Sequence, residues 1–191
     1  YVENATQLLQ GKLPVSGSGF VLHVTASFST SAKSIKGGRY IVQLARLMPE
    51  RMFVVVASQV LAVENLPENI LLWGRANGQK ELAALYSAAE ATVLVSERET
   101  FSMVTAESLC CGTPVVGFKA GGPESIAIPE YTDFVEYGKV ECLRDVLLEM
   151  LEVKHDKKRI SEEAKNHYSR EVMTNAYMKV YKSMIEHDEN G

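Results

Sequence analysis

The feature that most constrains this chain is a set of short apolar runs separated by segments of helical period. Phe20–Ala26 (FVLHVTA), Phe53–Ala57 (FVVVA), Ile70–Trp73 (ILLW), Thr92–Val95 (TVLV) and Val115–Phe118 (VVGF) are β-branched, continuous rather than alternating, and bounded by turn residues. Runs of that kind suit strands covered on both faces, as in a parallel sheet packed between helices. Between them, Tyr40–Met48, the Ala- and Leu-rich Lys80–Glu90, and Met103–Cys111 have helical character. The last is expected to stop at Gly112, with Pro114 just beyond. Alternation of this type predicts a doubly wound α/β sheet. Right-handed crossovers then place every strand's C-terminal end on one edge, where ligands bind. After Pro129 the pattern changes: Phe134–Tyr137 reads as a last short strand, Val140–Val153 as an amphipathic helix, and Lys157–His187 as two charged helices broken near Ser169. Gly17-Ser18-Gly19 is the expected hinge before the first strand.

A chain of 191 residues can bury roughly 70% of its unfolded surface. It therefore needs neither disulfide nor metal in order to fold. Its net charge of −4 argues against nucleic acid or an anionic membrane as the main partner, although Lys33, Lys36 and Arg39 form a local basic cluster. Cys110, Cys111 and Cys142 make no disulfide framework and read as small buried apolar residues in a reducing, cytoplasmic compartment. No apolar run approaches the roughly 18–20 residues that span a bilayer. The sequence opens without Met, in a polar and loop-like stretch, which suggests a segment of a longer protein.

Chemistry concentrates in Arg98–Gly117, RETFSMVTAESLCCGTPVVG, where Glu99 and Glu107 are separated by seven residues. On a single helix they would lie about 80° apart around the axis and about 12 Å apart along it. But the strand ending at Val95 keeps the helix from starting much before Ser102. Glu99 is thus expected in the loop, and Glu107 about a turn and a half into the helix. The helix start near Phe101-Ser102-Met103 would present free N–H groups to an anion. Acids beside such a site would accept hydroxyls, and hydroxyls flanking a phosphate describe a sugar nucleotide. The plainer alternative is a helix-terminal acid and a solvated or ion-paired one. Against it, Glu107 sits among Val104, Leu109, Cys110 and Cys111, where an unpaired carboxylate is costly.

In Ser34–Leu47, Gly37-Gly38 permits a tight turn and Lys36 can reach a diphosphate as a point charge. The alternative is an ordinary loop lysine. No G-x-G-x-x-G follows a strand, and no P-loop occurs. Gly121-Gly122 reads as a turn that lets a ligand approach the backbone, or as a plain tight turn; Pro123-Glu124 suits a helix start. His23 reads as a satisfied core imidazole, and His155, His167 and His187 as solvated. Nothing suggests a metal or a hydrolase triad.

Taken in order, these residues resemble a family. ETFSMVTAESLCCGTPVVGFKAGGPESI is similar to the E-x7-E region of retaining glycosyltransferases of family four, which have the GT-B fold. NILLWGRANGQKELAALYSAAEATVLVSE resembles the stretch before it, IKGGRYIVQLARLMPE the family's Lys-Gly element, and FVEYGKVECLRDVLLEML and SREVMTNAYMKVYKSMI its closing helices. The likeness runs from Phe20 to about Ile185.

The resemblance implies a Rossmann-like donor-binding domain over residues 20–187, with 1–19 as a remnant of interdomain linker and 188–191 as a tail. It implies transfer of a hexosyl group, with retention, from a nucleotide-diphosphate sugar such as a UDP- or GDP-hexose to a hydroxyl acceptor, in polysaccharide biosynthesis. Glu107 would accept the ribose hydroxyls and Glu99 a hydroxyl of the donor sugar. Backbone N–H groups of Phe101, Ser102, Met103 and Val104 would meet the diphosphate and sugar, and Lys36 would neutralise the diphosphate as it leaves. No cofactor or metal is implied. The partners are the donor and an acceptor domain outside these residues, and peripheral membrane association of the longer protein is left open.

Three departures stand out. The arginine usual before the lysine is absent from ASFSTSAKSIKGG, leaving Lys33 or Arg39 to substitute. The glycines usual beside the phenylalanine are Thr100 and Ser102, which still cap well. And only one of two similar domains is present, so the chain is expected to bind donor weakly and transfer nothing alone, and its final helix to lack a packing surface. The other readings are a nucleotide-sugar-binding module without catalysis and a GT-B-type epimerase.

Overall fold

The computed structural model describes residues 1–9, 11–13 and 19–188, the last three by backbone alone. Gly17 and Ser18 of the expected hinge, residues 189–191, and the side chain of His187 lie outside the described residues. The elements in chain order are α1 (Ala5–Leu8), β1 (Phe20–Phe28), α2 (Gly38–Leu47), β2 (Met52–Val60), β3 (Ile70–Gly74), α3 (Gln79–Ala88), β4 (Ala91–Leu94), α4 (Met103–Cys110), β5 (Val115–Phe118), α5 (Gly122–Ser125), β6 (Thr132–Val135), α6 (Val140–Glu152), α7 (Lys157–Tyr168) and α8 (Arg170–Asp188).

The strands form one six-stranded sheet in the order β3-β2-β1-β4-β5-β6, and each neighbouring pair is parallel. Both faces are buried, which is why the runs read as continuous rather than alternating. Val21, Phe53, Val55, Val93 and Val116 point to one core, under α2 and α6. Leu22, Val54 and Val56 point to the other, with Ala84, Leu85 and Tyr86 of α3. A third cluster, including Leu94, Leu109, Val115, Ile160 and Ala164, seats α7 on α4 and β5.

The chain steps outward from β1 to β3 and then returns to the other side of β1 with β4. That reversal is a topological switch point and opens a crevice beyond the strand ends. β1 and β2 pair along nearly their whole length, out to Phe28↔Val60. β1 and β4 pair only at Val21↔Ala91 and Leu22↔Thr92. At the next step the ring of His23 spans the gap, its Nδ1 2.9 Å from the Val93 carbonyl.

Several expectations need correction. β1 and β2 run past Ala26 and Ala57, because they continue as a paired ribbon beyond the other strands. β6 ends at Val135, leaving Tyr137 in the following turn. The N-terminal stretch is not merely loop: Ala5 and Leu9 are buried against the α3 side of the core. Cys142 is exposed and Cys110 and Cys111 are half-buried, so the cysteines are not uniformly core residues. His23 is buried but only half satisfied. A carbonyl accepts only, so Nδ1 carries the hydrogen, and Nε2 is left without a partner. His155 is part-buried and bonds the Met150 carbonyl at 3.1 Å rather than being solvated; His167 is exposed as expected. The break at Ser169 does separate two helices. On α8, Val172, Tyr177, Val180, Tyr181, Met184 and Ile185 are all exposed. Among the described residues no helix is long and apolar enough to cross a membrane.

Candidate functional site

Three loops at the C-terminal ends of β1, β4 and β5 meet at the crevice. The amide of Glu97 donates to the Ile35 carbonyl at 2.8 Å, tying the β4–α4 loop to the β1–α2 loop. Glu99 N donates to Ala120 O at 3.0 Å and Gly122 N to Glu99 O at 2.9 Å, tying it to the β5–α5 loop. Glu99 and Gly121 form an isolated parallel bridge, a brief continuation of β4–β5 pairing.

Glycines make these approaches feasible. Gly37 has φ +69°, and a Cβ there would stand 2.0 Å from the Val95 carbonyl oxygen. A Cβ on Gly122 would meet the Thr100 backbone at 2.7 Å. So Gly122 serves the approach of the loop that carries Glu99; the sequence alone leaves a plain tight turn and room for a ligand both open. Glu124 closes the turn by accepting from the amides of Ala120 (3.0 Å) and Gly121 (2.9 Å).

The expected site residues fall into two groups. Lys36 and Glu99 come together: Lys36 Nζ donates to Glu99 Oε1 at 2.8 Å, with both side chains about one-quarter exposed. Sequence reasoning gave them separate roles and missed this pairing. Glu107 is held apart from that pair. It is half-buried on α4, and its Oε2 accepts from the phenol of Tyr86 on α3 at 3.1 Å. Tyr86 was not singled out from the sequence.

Between the acids, Ser102 caps α4. It has φ +71°, unusual for a residue with a side chain, and its Oγ accepts from Thr105 N at 3.4 Å. The positive φ explains physically why a glycine suits this position, and the family resemblance carried that signal. Met103 and Val104 occupy the first two helical positions, whose amides point out of the helix start. Phe101 and Met103 present exposed side chains beside them.

Lys33 is exposed, and no ion pair among the described residues engages it. Arg39 is committed elsewhere. Its guanidinium donates to the Ala32 carbonyl and to the Tyr40 hydroxyl at 2.9 Å, with Tyr137 at 3.5 Å, and lies 4.5 Å from the Tyr40 ring centroid. Among the described residues no group of three or more His, Cys, Asp or Glu gathers to hold a metal ion.

Residues 58–167 match the sequence model of the family described as Glycosyl transferases group 1, more than half of the chain. The chain belongs to that family. The matched span takes in Glu99 and Glu107 and leaves Lys33 and Lys36 outside. Among curated proteins, this group 1 chain is 25% identical over 132 residues to the N-acetyl-alpha-D-glucosaminyl L-malate synthase of Bacillus anthracis, covering 66% of the chain and 34% of that protein. It is 52% identical over 44 residues to a D-inositol 3-phosphate glycosyltransferase of Thermomonospora curvata, covering 23% of the chain and 10% of that protein. The chain thus matches about a third or less of the length of these relatives.

Two solved structures make the same point about the fold. Sucrose-phosphate synthase from Thermosynechococcus elongatus superposes with a TM-score of 0.71 at 20% identity, over 97% of this chain and 49% of that one. The C-terminal domain of a glycosyl transferase group 1 family protein from Francisella tularensis superposes with a TM-score of 0.63 at 21% identity, over 92% and 94% of the two chains. The shared architecture is the Rossmann-like half of a GT-B glycosyltransferase, as the resemblance implied.

Proposed function

We propose that residues 20–187 are the donor-binding half of a retaining hexosyltransferase that uses a nucleotide-diphosphate sugar. The observation that carries this is the Lys36–Glu99 ion pair at the switch-point crevice, beside the start of α4. A cation within reach of an outward-pointing helix start is a place for a diphosphate. An acid in contact with that cation is placed to accept a sugar hydroxyl once the phosphate takes the lysine. Glu107 accepts the ribose hydroxyls, and Lys33 stands in for the usual arginine, since Arg39 is already engaged.

In the reaction proposed, the bond from the sugar's anomeric carbon to the diphosphate breaks. The acceptor oxygen bonds to that carbon on the same face, and the acceptor's proton passes to the leaving phosphate. Lys36, Lys33 and the α4 amides stabilise the charge gathering on the diphosphate. The acceptor is held by a domain outside these residues, so this chain alone binds donor weakly and transfers nothing.

The test is calorimetric titration of the chain with UDP, GDP, ADP and CMP. One diphosphate is expected to bind, and Glu107→Ala to weaken it at least about ten-fold, the scale of lost hydrogen bonds to a charged group. Binding of none of them, or binding indifferent to Glu107→Ala, counts against the reading. Lys36→Ala should weaken the diphosphate by about thirty-fold while hardly touching the corresponding nucleoside, and Lys33→Ala should have a smaller, salt-sensitive effect. Equal losses for diphosphate and nucleoside would remove Lys36 from the phosphate site.

A further inference from the structure

We infer that Tyr86 is the positioning residue of the nucleotide site, its phenol holding the Glu107 carboxylate in the orientation that accepts a ribose diol. This rests on the reading of Glu107 as the ribose acceptor. Glu107 has no cationic partner among the described residues. Its one side-chain hydrogen bond there comes from Tyr86, at 3.1 Å to Oε2. Among the described residues that leaves Oε1 without a partner and able to face a ligand, on a side chain that is half-buried rather than enclosed.

The phenol reaches Glu107 from within the fold. Tyr86 is 1% exposed and ranks among the largest fully buried side chains. Its ring packs in the core cluster with Phe20, Leu22 and Leu85, and its backbone carbonyl accepts from Thr113 Oγ1, in the turn after α4. Tyr86 is thus tied to α4 by its hydroxyl and to the α4–β5 turn by its carbonyl, so the phenol has little freedom to follow Glu107 elsewhere. Burial, and then the neighbouring Glu107 charge, push the phenol's pKa well above its ordinary 10, so it remains a donor throughout the neutral range.

A free glutamate on a helix rotates about its terminal torsion, which is broad. A cis-diol offers two O–H donors with fixed separation, and a carboxylate meets both only when its plane is set. One hydrogen bond from an immobile phenol sets that plane while leaving lone pairs for the ligand. The cost of ordering the acceptor is then met on folding rather than on binding.

The experiment compares whichever of UDP, GDP and ADP binds the chain with its 2′-deoxy counterpart. Unmodified chain and Tyr86→Phe are tested in both the native and the Glu107→Gln background. Tyr86→Phe removes one oxygen and keeps the ring packing, which a thermal unfolding midpoint checks. The expected result is a loss of about five- to ten-fold for the ribonucleotide and less than about two-fold for the deoxynucleotide, so that the preference for ribose shrinks. In the Glu107→Gln background Tyr86→Phe should change neither.

Equal losses for the two nucleotides, or the same loss with and without Glu107, would mean a merely structural tie between α3 and α4 and overturn the proposal. An unchanged ribose preference in Tyr86→Phe, with a lost one in Glu107→Gln, overturns it while sparing Glu107. A ribose preference indifferent to Glu107→Gln, or no binding by any of the three, overturns the ribose reading and this proposal together.

Discussion

Replacing Gly37 by alanine is expected to destabilise the chain by about 3 kcal/mol or more. Two costs add. The residue holds φ +69°, where a side chain costs about 1–2 kcal/mol. The new methyl would also stand 2.0 Å from the Val95 carbonyl oxygen and 3.0 Å from its carbon, and these are backbone atoms at the end of β4, not the tip of a flexible side chain. Relief requires the β1–α2 loop to move off β4, at a further cost of about 1–3 kcal/mol. That motion also draws Lys36 away from Glu99. Gly74→Ala is the control, since Gly74 has φ +78° but nothing within 4 Å of its would-be Cβ. It should lose only the backbone part, about 1–2 kcal/mol. Denaturant unfolding of the two variants measures the difference; if Gly37→Ala is no worse than Gly74→Ala, the close contact with Val95 is not what glycine provides.

The second large effect is expected in acid. Burial, partly opposed by the bond to Val93 and assisted by the nearby Lys36 charge, lowers the His23 pKa from 6.5 to about 4. The unfolded chain therefore takes up a proton before the folded one does. The stability contributed by neutral His23 is fully present above about 6.5 and is lost as pH falls through about 4. At about 1.4 kcal/mol per pH unit the loss approaches 3 kcal/mol. Other groups titrate in the same window, so the informative quantity is the difference from His23→Leu. That variant forfeits the bond to the Val93 carbonyl, about 1–2 kcal/mol near pH 7, but also the titration. The two stability curves should converge on acidification and cross before about pH 4, and parallel curves between pH 6.5 and 4 would remove His23 as the cause.

The sheet was legible because each strand is buried on both faces, and a continuous β-branched run such as Phe53–Ala57 leaves few alternatives. Strand order was not, since periodicity says nothing about which neighbour a strand takes. The positions of the two acids were also legible. Gly112 and Pro114 marked one end of α4 and Ser102 the other, which put Glu99 in a loop and Glu107 on a helix. Their partners were hidden for a simple reason: Lys36 lies 63 residues from Glu99, and Tyr86 lies 21 residues from Glu107 on a different helix. A tyrosine in an Ala- and Leu-rich helix reads as core, and Tyr86 is core in every atom but its oxygen. Arg39 looked available to a phosphate because a neighbouring tyrosine in sequence does not show that the guanidinium turns back onto it; only the weaker contact, with Tyr137 at 3.5 Å, is 98 residues away. Long-range polar contacts of this kind leave no local pattern, whereas caps and turns do.

The bonds joining Glu97 to Ile35 and Glu99 to Ala120 and Gly122 also bear on how this site can diverge. Each loop is measured against its neighbour's main chain, so adding or deleting one residue in any of them would shift the others out of register. Length variation, the ordinary route by which surface loops acquire new preferences, is closed at this edge. Changes in what this edge accepts must come instead from exchanging side chains at fixed positions, and Thr100, Phe101 and Met103, exposed on that frame, are where such exchanges are tolerated at least cost to the fold.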